Sequence, residues 1–305
     1  MQMCDPEASN TITETVAISP SFRGLRIVPG IPGKTERNIG GVYAIGEEFD
    51  FTHRFFILAD KPYTMITRMP LENFLVIDIE TVSGQRNFEA LTDDWQHLWQ
   101  EKVLRSIPED STASEYYPQR AGIMAEFGKV VCISIGYFKK EKEKFQFRVK
   151  SIYSDNEDTL LRDFINTVNQ LEAVHNRWCF TGHNIKEFDI PFLCRRLLIN
   201  NLPVPNYLDF QNMKPWETNM VDTFQYWRFG DYKNYTSLKL LAAALNVPSP
   251  KDDIDGSMVG QVYWVENDLQ RIATYCQKDV VTVANIILRF KNLPLLTEDQ
   301  VVFTN

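Results

Sequence analysis

Apolar and polar positions divide the chain after about residue 70 into strand-like and helix-like segments. The run from Phe74 to Thr81 is apolar enough for a buried strand, and two carboxylates interrupt its second half. Two further strand-like runs, 129–138 and 145–153, are joined by a charged turn, which predicts an antiparallel hairpin. The second of these runs alternates apolar with polar residues, so we expect it near an edge of the sheet.

Apolar residues at helical spacing predict helices at 91–104, after a capping residue at Asp155, at about 187–200 and at about 266–290. A short apolar run at 177–181 precedes the third of these helices and predicts a buried strand. The order of strand, hairpin, helix, strand and helix indicates an α/β fold, with a mixed sheet and helices on its faces.

Residues 1–70 have a different pattern, because Gly and Pro are concentrated at 24–33 and no helical period is sustained. We predict an N-terminal extension over residues 1–70, one domain over 71–295 and a C-terminal tail over 296–305. The extension is compatible with an accessory segment, with a flexible segment and with a translation start near Met69.

The composition is that of a globular protein, with 44% hydrophobic and 24% charged residues among 305. No apolar run approaches the ~18 residues of a membrane helix, and no signal pattern occurs, so we predict a cytoplasmic protein. The five cysteines are scattered without a C-x-x-C pair, which argues against a disulfide framework and a zinc ribbon. A net charge of -8 argues against coating nucleic acid through bulk positive charge, but not against metal ions over acidic ligands.

Two carboxylates lie side by side on the first strand, since Asp78 and Glu80 are two residues apart and point to the same face. Burying one unpaired carboxylate costs on the order of several kcal/mol or more, and two neighbouring carboxylates also repel each other. The pair therefore needs a cation, a proton or basic partners. Taken alone, the pair also suits a strand end that faces water.

Two later sites have the same acidic character. Asn184 and Asp189 lie where the chain leaves the 177–181 strand and enters a helix, and Tyr275 and Asp279 lie one turn apart on the last helix. Each site alone has an ordinary explanation, namely a turn cap, a charge that stabilises a helix dipole, and an exposed surface pair. Their combination is more specific than any one of them.

The three motifs D-x-E, N-x4-D and Y-x3-D together resemble the DEDD exonucleases of the ribonuclease-H-like fold, in the variant with tyrosine in the third motif. The segments 235–245, 249–256 and 275–280 are similar to bacterial proteins described as predicted 3′-5′ exonucleases related to the proofreading domain of family B DNA polymerases. The resemblance covers about residues 71–290. The histidine variant needs a His five residues before the last Asp, where this chain has Thr274.

The resemblance implies catalysis by four acids and a tyrosine, with the acids as ligands of two Mg²⁺ or Mn²⁺ ions: Asp78, Glu80, Asp189, Asp279 and Tyr275. Hard oxygen ligands suit these ions, and two ions ~3.5 to 4 Å apart can bracket a phosphodiester. One ion activates a water, the other stabilises the leaving 3′ oxygen, and Tyr275 orients the water. By the same resemblance, Thr81 and Asn184 lie beside the terminal nucleotide.

These inferences predict a metal-dependent enzyme that removes nucleoside monophosphates from the 3′ end of single-stranded or frayed DNA. A ribonuclease D-like enzyme of the same tyrosine class and a catalytically silent nucleic-acid-binding module are the alternatives. Asp222, Asp252, Asp253 and Asp255 stay outside the predicted ligand set, because acid-rich loops are usually solvated turns. The sequence argues against a serine or cysteine nucleophile, since no G-x-S-x-G occurs and no cysteine has an obvious histidine partner.

Overall fold

The computed structural model describes residues 66–304 except 143, 176, 212, 215–217 and 249–253, and the backbone of four short strands before residue 60. These four strands form two antiparallel pairs within a unit of residues 1–63. Strand β1 (Leu25–Pro29) pairs with β4 (Phe55–Ala59), and β2 (Arg37–Asn38) pairs with β3 (Tyr43–Ala44). The remainder of residues 1–65 lies outside the described residues, so the N-terminal extension stays a prediction.

A six-stranded mixed sheet forms the centre of the second unit, residues 64–305. Its strands are β5 (Phe74–Ser83), β6 (Gly128–Glu141), β7 (Lys144–Tyr153), β8 (Cys179–Gly182), β9 (Met220–Asp222) and β10 (Val301–Thr304). The spatial order is β10-β7-β6-β5-β8-β9, in which β6 is antiparallel to both neighbours and the other adjacent pairs are parallel. The β6–β7 pair confirms the predicted hairpin, although β7 lies one strand inside the edge because β10 covers it.

Helices pack on both faces of this sheet. They are α1 (Asp93–Val103), α2 (Ala113–Arg120), α3 (Glu157–Val174), α4 (Asp189–Ile199), α5 (Thr223–Arg228), α6 (Leu238–Ala244), α7 (Val259–Gln261) and α8 (Leu269–Phe290). The predicted cap at Asp155 is wrong, because the side chain of Asn156 accepts the hydrogen bond from Thr159 N at 3.0 Å. The mixed sheet with helices on its faces confirms the predicted α/β, ribonuclease-H-like fold class. No helix in the described part of the chain is long and apolar enough to cross a membrane.

The central strand β5 is covered on both faces, which explains its almost continuous apolar sequence. Ile77 and Ile79 pack in the layer that contains α3 and α4, whereas Phe74 and Val76 pack against α8. Since side chains alternate along a strand, Asp78 projects into the α8 layer, beside residues from that helix. The sheet thus directs the predicted acids of β5 toward the helix that carries the last predicted site.

A glycine sets how closely α8 approaches the sheet. A Cβ atom at Gly136 in β6 would lie 2.6 Å from Val280 Cγ1 and would also overlap the ring of Phe147. Both of these side chains are fully buried, so neither has room to move aside. Val280 follows Asp279 in the chain, and the glycine therefore helps to fix the height of Asp279 above the sheet.

The outer strand of the sheet, β10, lies in the segment predicted to be a C-terminal tail. Val301–Thr304 pairs in parallel with Phe147–Lys150 of β7. Gln300 supports this pairing, because its Nε2 donates to Phe145 O at 2.9 Å. Residues 301–304 are thus an ordered part of the sheet, and the domain boundaries at 70 and 295 remain predictions.

Candidate active site

The two acids of β5 meet on one face of the sheet, as their spacing predicts. Asp78, Glu80 and Cys276 each offer a ligand atom, and these three atoms lie within 4.8 Å of one another. Glu80 is buried and Asp78 is partly buried. Their register partners on β6 are Ser134 and Cys132, so no Lys or Arg faces either acid across this strand pair. The two carboxylates therefore have no cationic neighbour on β6.

Asp189 joins this group from the first turn of α4. It is buried, and its Oδ1 accepts a hydrogen bond from Ile79 N at 3.2 Å. Strand β8 pairs with β5 only from Phe74 to Val76 and then diverges, so the Ile79 amide has no strand partner on that side. The Asp189 side chain takes the place of that partner and thereby lies beside the backbone between Asp78 and Glu80.

Helix α8 supplies the fourth acid and the tyrosine. Tyr275 and Asp279 are one helical turn apart, both are partly buried, and the Tyr275 hydroxyl makes a hydrogen bond to Asp279. Ile272, Cys276, Val280 and Val283 form the buried side of the helix, and they fix its rotation on the sheet. The rotation places Tyr275 and Asp279 at the margin of the buried stripe, where they reach the acids of β5.

The four acids share one cleft of about 810 Å³, which Asp78, Glu80, Asp189 and Asp279 line together with Tyr275. Burial first, and then the negative charges of Asp279 and Asp189, hold the pKa of Asp78 well above its ordinary value. Burial and the charge of Asp78 likewise raise the pKa of Glu80. Burial raises the pKa of Asp189 to about 7, and Asp222 and Asp279 add to this rise against the hydrogen bond from Ile79. The acids therefore repel one another in the absence of a cation.

Cys276 is a further neighbour of the acids, and it is not among the predicted site residues. Its Sγ donates to Asp78 Oδ2 at 3.2 Å and to Asp78 O at 3.4 Å. Burial, followed by the adjacent Cys132 and the charge of Asp78, raises the pKa of the Cys276 thiol. The thiol accordingly remains protonated and acts as a hydrogen-bond donor that orients the Asp78 carboxylate.

Asn184 lies in the turn after β8 and lines the cleft. Its backbone has a φ of 66°, in the left-handed region that asparagine tolerates better than most residues. Its side-chain Oδ1 is buried and has no hydrogen-bond partner among the residues that the structure describes. A buried acceptor without a partner is unusual in a folded protein, and it suits contact with a ligand group that donates.

Asp222 holds the Asn184 turn in place. Its Oδ1 accepts from the backbone amides of Asn184 at 3.0 Å and Phe224 at 2.9 Å, and its Oδ2 accepts from Lys186 N at 3.2 Å. Asp222 also caps α5 through Gln225 N. Backbone amides thus occupy both carboxylate oxygens, which agrees with its exclusion from the predicted ligand set.

The remaining predicted residues differ in their positions. Thr81 directly follows Glu80 but is not among the residues that line the cleft in the described part of the chain. Asp255 lines the cleft, and its Oδ1 accepts from Ser257 N at 2.9 Å. Asp252 and Asp253 lie outside the described residues. The structure therefore brings together the five predicted catalytic residues and Asn184, with Thr81 just outside.

Several residues of the cleft walls were not predicted. The basic side chains are Arg120, from the last turn of α2, and Lys239, from α6, and both are exposed. Tyr235 and His183 line the cleft as well. Tyr235 lies in a segment that contributed to the family resemblance, whereas nothing in the sequence distinguishes Arg120 from other surface arginines.

Comparisons with solved structures find similar chains. One of them is the family B DNA polymerase from the hyperthermophilic archaeon Pyrobaculum calidifontis, with 17% identity, 73% of this chain covered and a TM-score of 0.40. The match spans about a quarter, 24%, of the length of the polymerase chain. No curated protein matches the chain.

A family model matches residues 123–300, which is more than half of the chain. The four predicted site residues from Asn184 onward fall inside this match, and the three on β5 precede it. The family is described as a predicted 3′-5′ exonuclease related to the exonuclease domain of PolB. The chain therefore belongs to this family of predicted 3′-5′ exonucleases.

Proposed function

We propose that this protein is a metal-dependent 3′-5′ exonuclease that releases nucleoside monophosphates from a DNA strand. The observation that carries the proposal is the convergence of four carboxylates and one tyrosine, from β5, α4 and α8, in a single open cleft. Neighbouring carboxylates are costly to bury, and they are retained where their charge serves a ligand.

The residues present fit divalent cations. Asp78, Glu80, Asp189 and Asp279 offer the carboxylate oxygens that Mg²⁺ and Mn²⁺ prefer. Burial, together with neighbouring acids, raises the pKa values of Asp78, Glu80 and Asp189. When bound, two such ions would neutralise charge on the phosphodiester and make a water more acidic. The four acids would hold the ions, and Cys276 would keep the Asp78 carboxylate turned toward them.

Tyr275 would position the attacking water rather than remove its proton. Burial, followed by the charges of Asp279, Glu80 and Asp78, raises the pKa of its hydroxyl above the ordinary value. A phenol that keeps its proton donates a hydrogen bond and is a poor base. The free Oδ1 of Asn184 would accept a hydrogen bond from the 3′-hydroxyl of the terminal nucleotide, with Thr81 nearby.

DNA is the favoured substrate, because the family is described by its relation to the exonuclease domain of a DNA polymerase. The same acids and tyrosine would also serve a ribonuclease D-like enzyme. Relative turnover on DNA and RNA oligonucleotides of identical sequence separates these two functions. Cytoplasmic action on a free strand end remains the prediction from sequence.

The decisive experiment measures hydrolysis of a labelled oligonucleotide with Mn²⁺ or Mg²⁺ and with EDTA. We expect hydrolysis only with metal, and we expect Asp78→Ala, Glu80→Ala, Asp189→Ala and Asp279→Ala each to remove most of it, because each deletes a ligand. Near wild-type rates in two of the four variants would contradict the ligand set. A wild-type protein that binds the strand but never cleaves it would instead be a silent binding module.

A further inference from the structure

The segment between α5 and α6 presents three large aromatic side chains to solvent. Phe229 is 83% exposed, Tyr232 is 78% exposed and Tyr235 is 65% exposed. Single exposed aromatic residues are ordinary, but three within seven positions form a cluster of the kind that marks an interaction site. Tyr235 lines the candidate active cleft, while Phe229 and Tyr232 lie outside it. The cluster therefore begins at the cleft and continues away from it.

Contacts with the buried base of the segment hold two of these rings in place without covering them. The ring of Tyr235 meets Phe224 edge-on, with 4.9 Å between centroids. The guanidinium of Arg228 lies 3.9 Å from the ring centroid of Phe224 and 5.6 Å from the ring centroid of Tyr232. Rings that are ordered before binding lose little conformational freedom when a ligand stacks on them.

The backbone of the segment is tied to the active-site turn. His183 Nε2 lies 2.8 Å from Thr236 O, and His183 precedes Asn184 in the chain. Burial lowers the pKa of His183, so the neutral ring donates this hydrogen bond through Nε2. The aromatic cluster and the turn that holds Asn184 are therefore parts of one connected structure.

The charge of the segment is also favourable for an anionic chain. Between Phe229 and Lys239 the segment has two exposed lysines, Lys233 and Lys239, and one aspartate, Asp231. The Asp231 oxygens are occupied by Lys233 N at 2.9 Å and by Asn234 Nδ2 at 3.3 Å. A local excess of positive charge thus occurs in a protein whose net charge is -8. Aromatic side chains with cationic side chains among them are a combination that binds single-stranded nucleic acid.

We propose that an aromatic track, defined as Phe229, Tyr232, Lys233, Tyr235 and Lys239, binds the unpaired strand on the 5′ side of the nucleotide that is removed. The inference rests on the proposed function, and it specifies the substrate class as a strand with a single-stranded 3′ tail. The rings stack on bases and the lysines contact phosphates. The bases of a duplex are already stacked on each other, so a paired end cannot use the track.

The test is a binding series with 5′-labelled oligodeoxythymidylates of about 4 to 16 nucleotides, measured by fluorescence anisotropy with Ca²⁺ in place of Mg²⁺. For the wild-type chain, we expect affinity to rise with length until the track is filled. Phe229→Ala and Tyr232→Ala should each lose about tenfold or more for the longest strands, because each removes one stacking platform. Tyr232→Phe should restore the affinity, since it keeps the ring.

Phe303→Ala is the matched control. Phe303 is 57% exposed, but it lies on β10, the strand at the opposite edge of the sheet from β9 and α5. Its removal should change neither binding nor hydrolysis. Unchanged melting temperatures would show that all of these surface variants fold.

The outcomes distinguish the track from the proposed function. If the wild-type chain hydrolyses the oligonucleotides but Phe229→Ala and Tyr232→Ala bind every length as tightly as it does, the track is wrong and the exonuclease stands. A blunt duplex that binds as tightly as a single strand of equal length would also overturn the track. If the wild-type chain neither binds nor hydrolyses any oligonucleotide, both proposals fall.

Discussion

Tyr275 is the residue for which a chemical role and a packing role predict different behaviour. Tyr275→Phe keeps the ring in place and removes the hydroxyl that bonds to Asp279. If the hydroxyl orients the attacking water, its hydrogen bond to that water matters mainly in the transition state. The loss of this hydrogen bond costs about 2 to 4 kcal/mol, or roughly 10² to 10³ in kcat. We expect this fall at saturating Mn²⁺, with the dissociation constant for the oligonucleotide changed only a few-fold.

Tyr153→Phe is the control for this experiment, because Tyr153 is an exposed tyrosine of β7 whose hydroxyl bonds to Gln270 at 2.6 Å. It should keep wild-type turnover. Unchanged turnover in Tyr275→Phe, beside an inactive Asp279→Ala, would retain the acids as the catalytic group and leave the tyrosine with a packing role.

The pH dependence of protein stability tests the charge state of Asp189. Its pKa is raised from 3.8 to about 7 in the folded protein, so the folded state holds the proton more tightly than the unfolded state. The resulting stabilisation is complete below pH of about 4 and is lost as the pH rises through about 7. Above that pH, the ionised Asp189 of the metal-free protein is destabilising by on the order of 2 to 4 kcal/mol.

Asp189→Asn removes this charge and keeps an oxygen that can accept from Ile79 N. In EDTA, we therefore expect the variant to melt at a higher temperature than the wild-type protein at pH 8, and we expect this difference to vanish near pH 4. Saturating Mg²⁺ should reverse the order, because only the wild-type site gains the full binding energy. Thermal melts across pH test both statements, and a variant less stable than wild type in EDTA at pH 8 would refute the first.

At the scale of elements, the distance between α8 and the sheet determines whether Asp279 reaches the acids of β5. Gly136→Ala would force a methyl group against Val280 and Phe147, which are both buried. Overpacking of this kind costs about 1 to 3 kcal/mol and shifts the backbone. We expect Gly136→Ala to lower the melting temperature and also to reduce the rate of hydrolysis by the folded protein, since the acids on β5 and α8 move apart.

Gly260→Ala is the matched substitution, because a Cβ at Gly260 in α7 would meet nothing within 4 Å. It should leave hydrolysis intact and preserve or slightly raise stability, as alanine favours a helix. Equal activity in the two alanine variants would mean that α8 tolerates a shift on the sheet, contrary to the close-packing argument.

The sequence predicts the elements that have their own periodicity. The β6–β7 hairpin and the long helices follow from local patterns, and the two-residue spacing of Asp78 and Glu80 correctly predicts that they meet on one face. Strand β10 could not be predicted in this way, because its short run gains its structure only by pairing with β7, about 150 residues earlier in the chain.

The neighbours of the predicted acids could not be predicted for a similar reason. Cys276 looks like one more apolar position on α8, and only the packing of that helix on β5 places its thiol against Asp78. Asp222 is outside the predicted ligand set, but only the fold shows that backbone amides occupy its oxygens. Periodicity indicates which face a residue lies on, whereas contacts between distant segments depend on the whole fold.

At the scale of the whole molecule, the proposed function requires a free 3′ end. The Asn184 acceptor lies in the same cleft as the acids, so a terminal hydroxyl can be held next to the scissile phosphate. We expect a 5′-labelled strand to shorten as a ladder and a strand with a blocked 3′ terminus to resist. Denaturing gels of timed reactions show this directly.

A circular single strand of the same composition is the control for that experiment, because it offers the same bases and phosphates without an end. It should remain intact under conditions that digest the linear strand. Cuts in the circle, or release of 5′-terminal nucleotides before any others, would indicate a nuclease of different polarity.

The hydrogen bond from Ile79 N to Asp189 makes one backbone amide a spectroscopic reporter of the site. This amide lies between the two acids of β5 and donates directly to a third acid, at 3.2 Å. When Mg²⁺ draws electron density from the Asp189 carboxylate, the ¹⁵N–¹H resonance of Ile79 should move, whereas that of Val302, on the edge strand β10, should hardly change. Titration of ¹⁵N-labelled protein would thus report occupancy without any substrate, and a stationary Ile79 signal at Mg²⁺ concentrations that support hydrolysis would remove Asp189 from the ligand set.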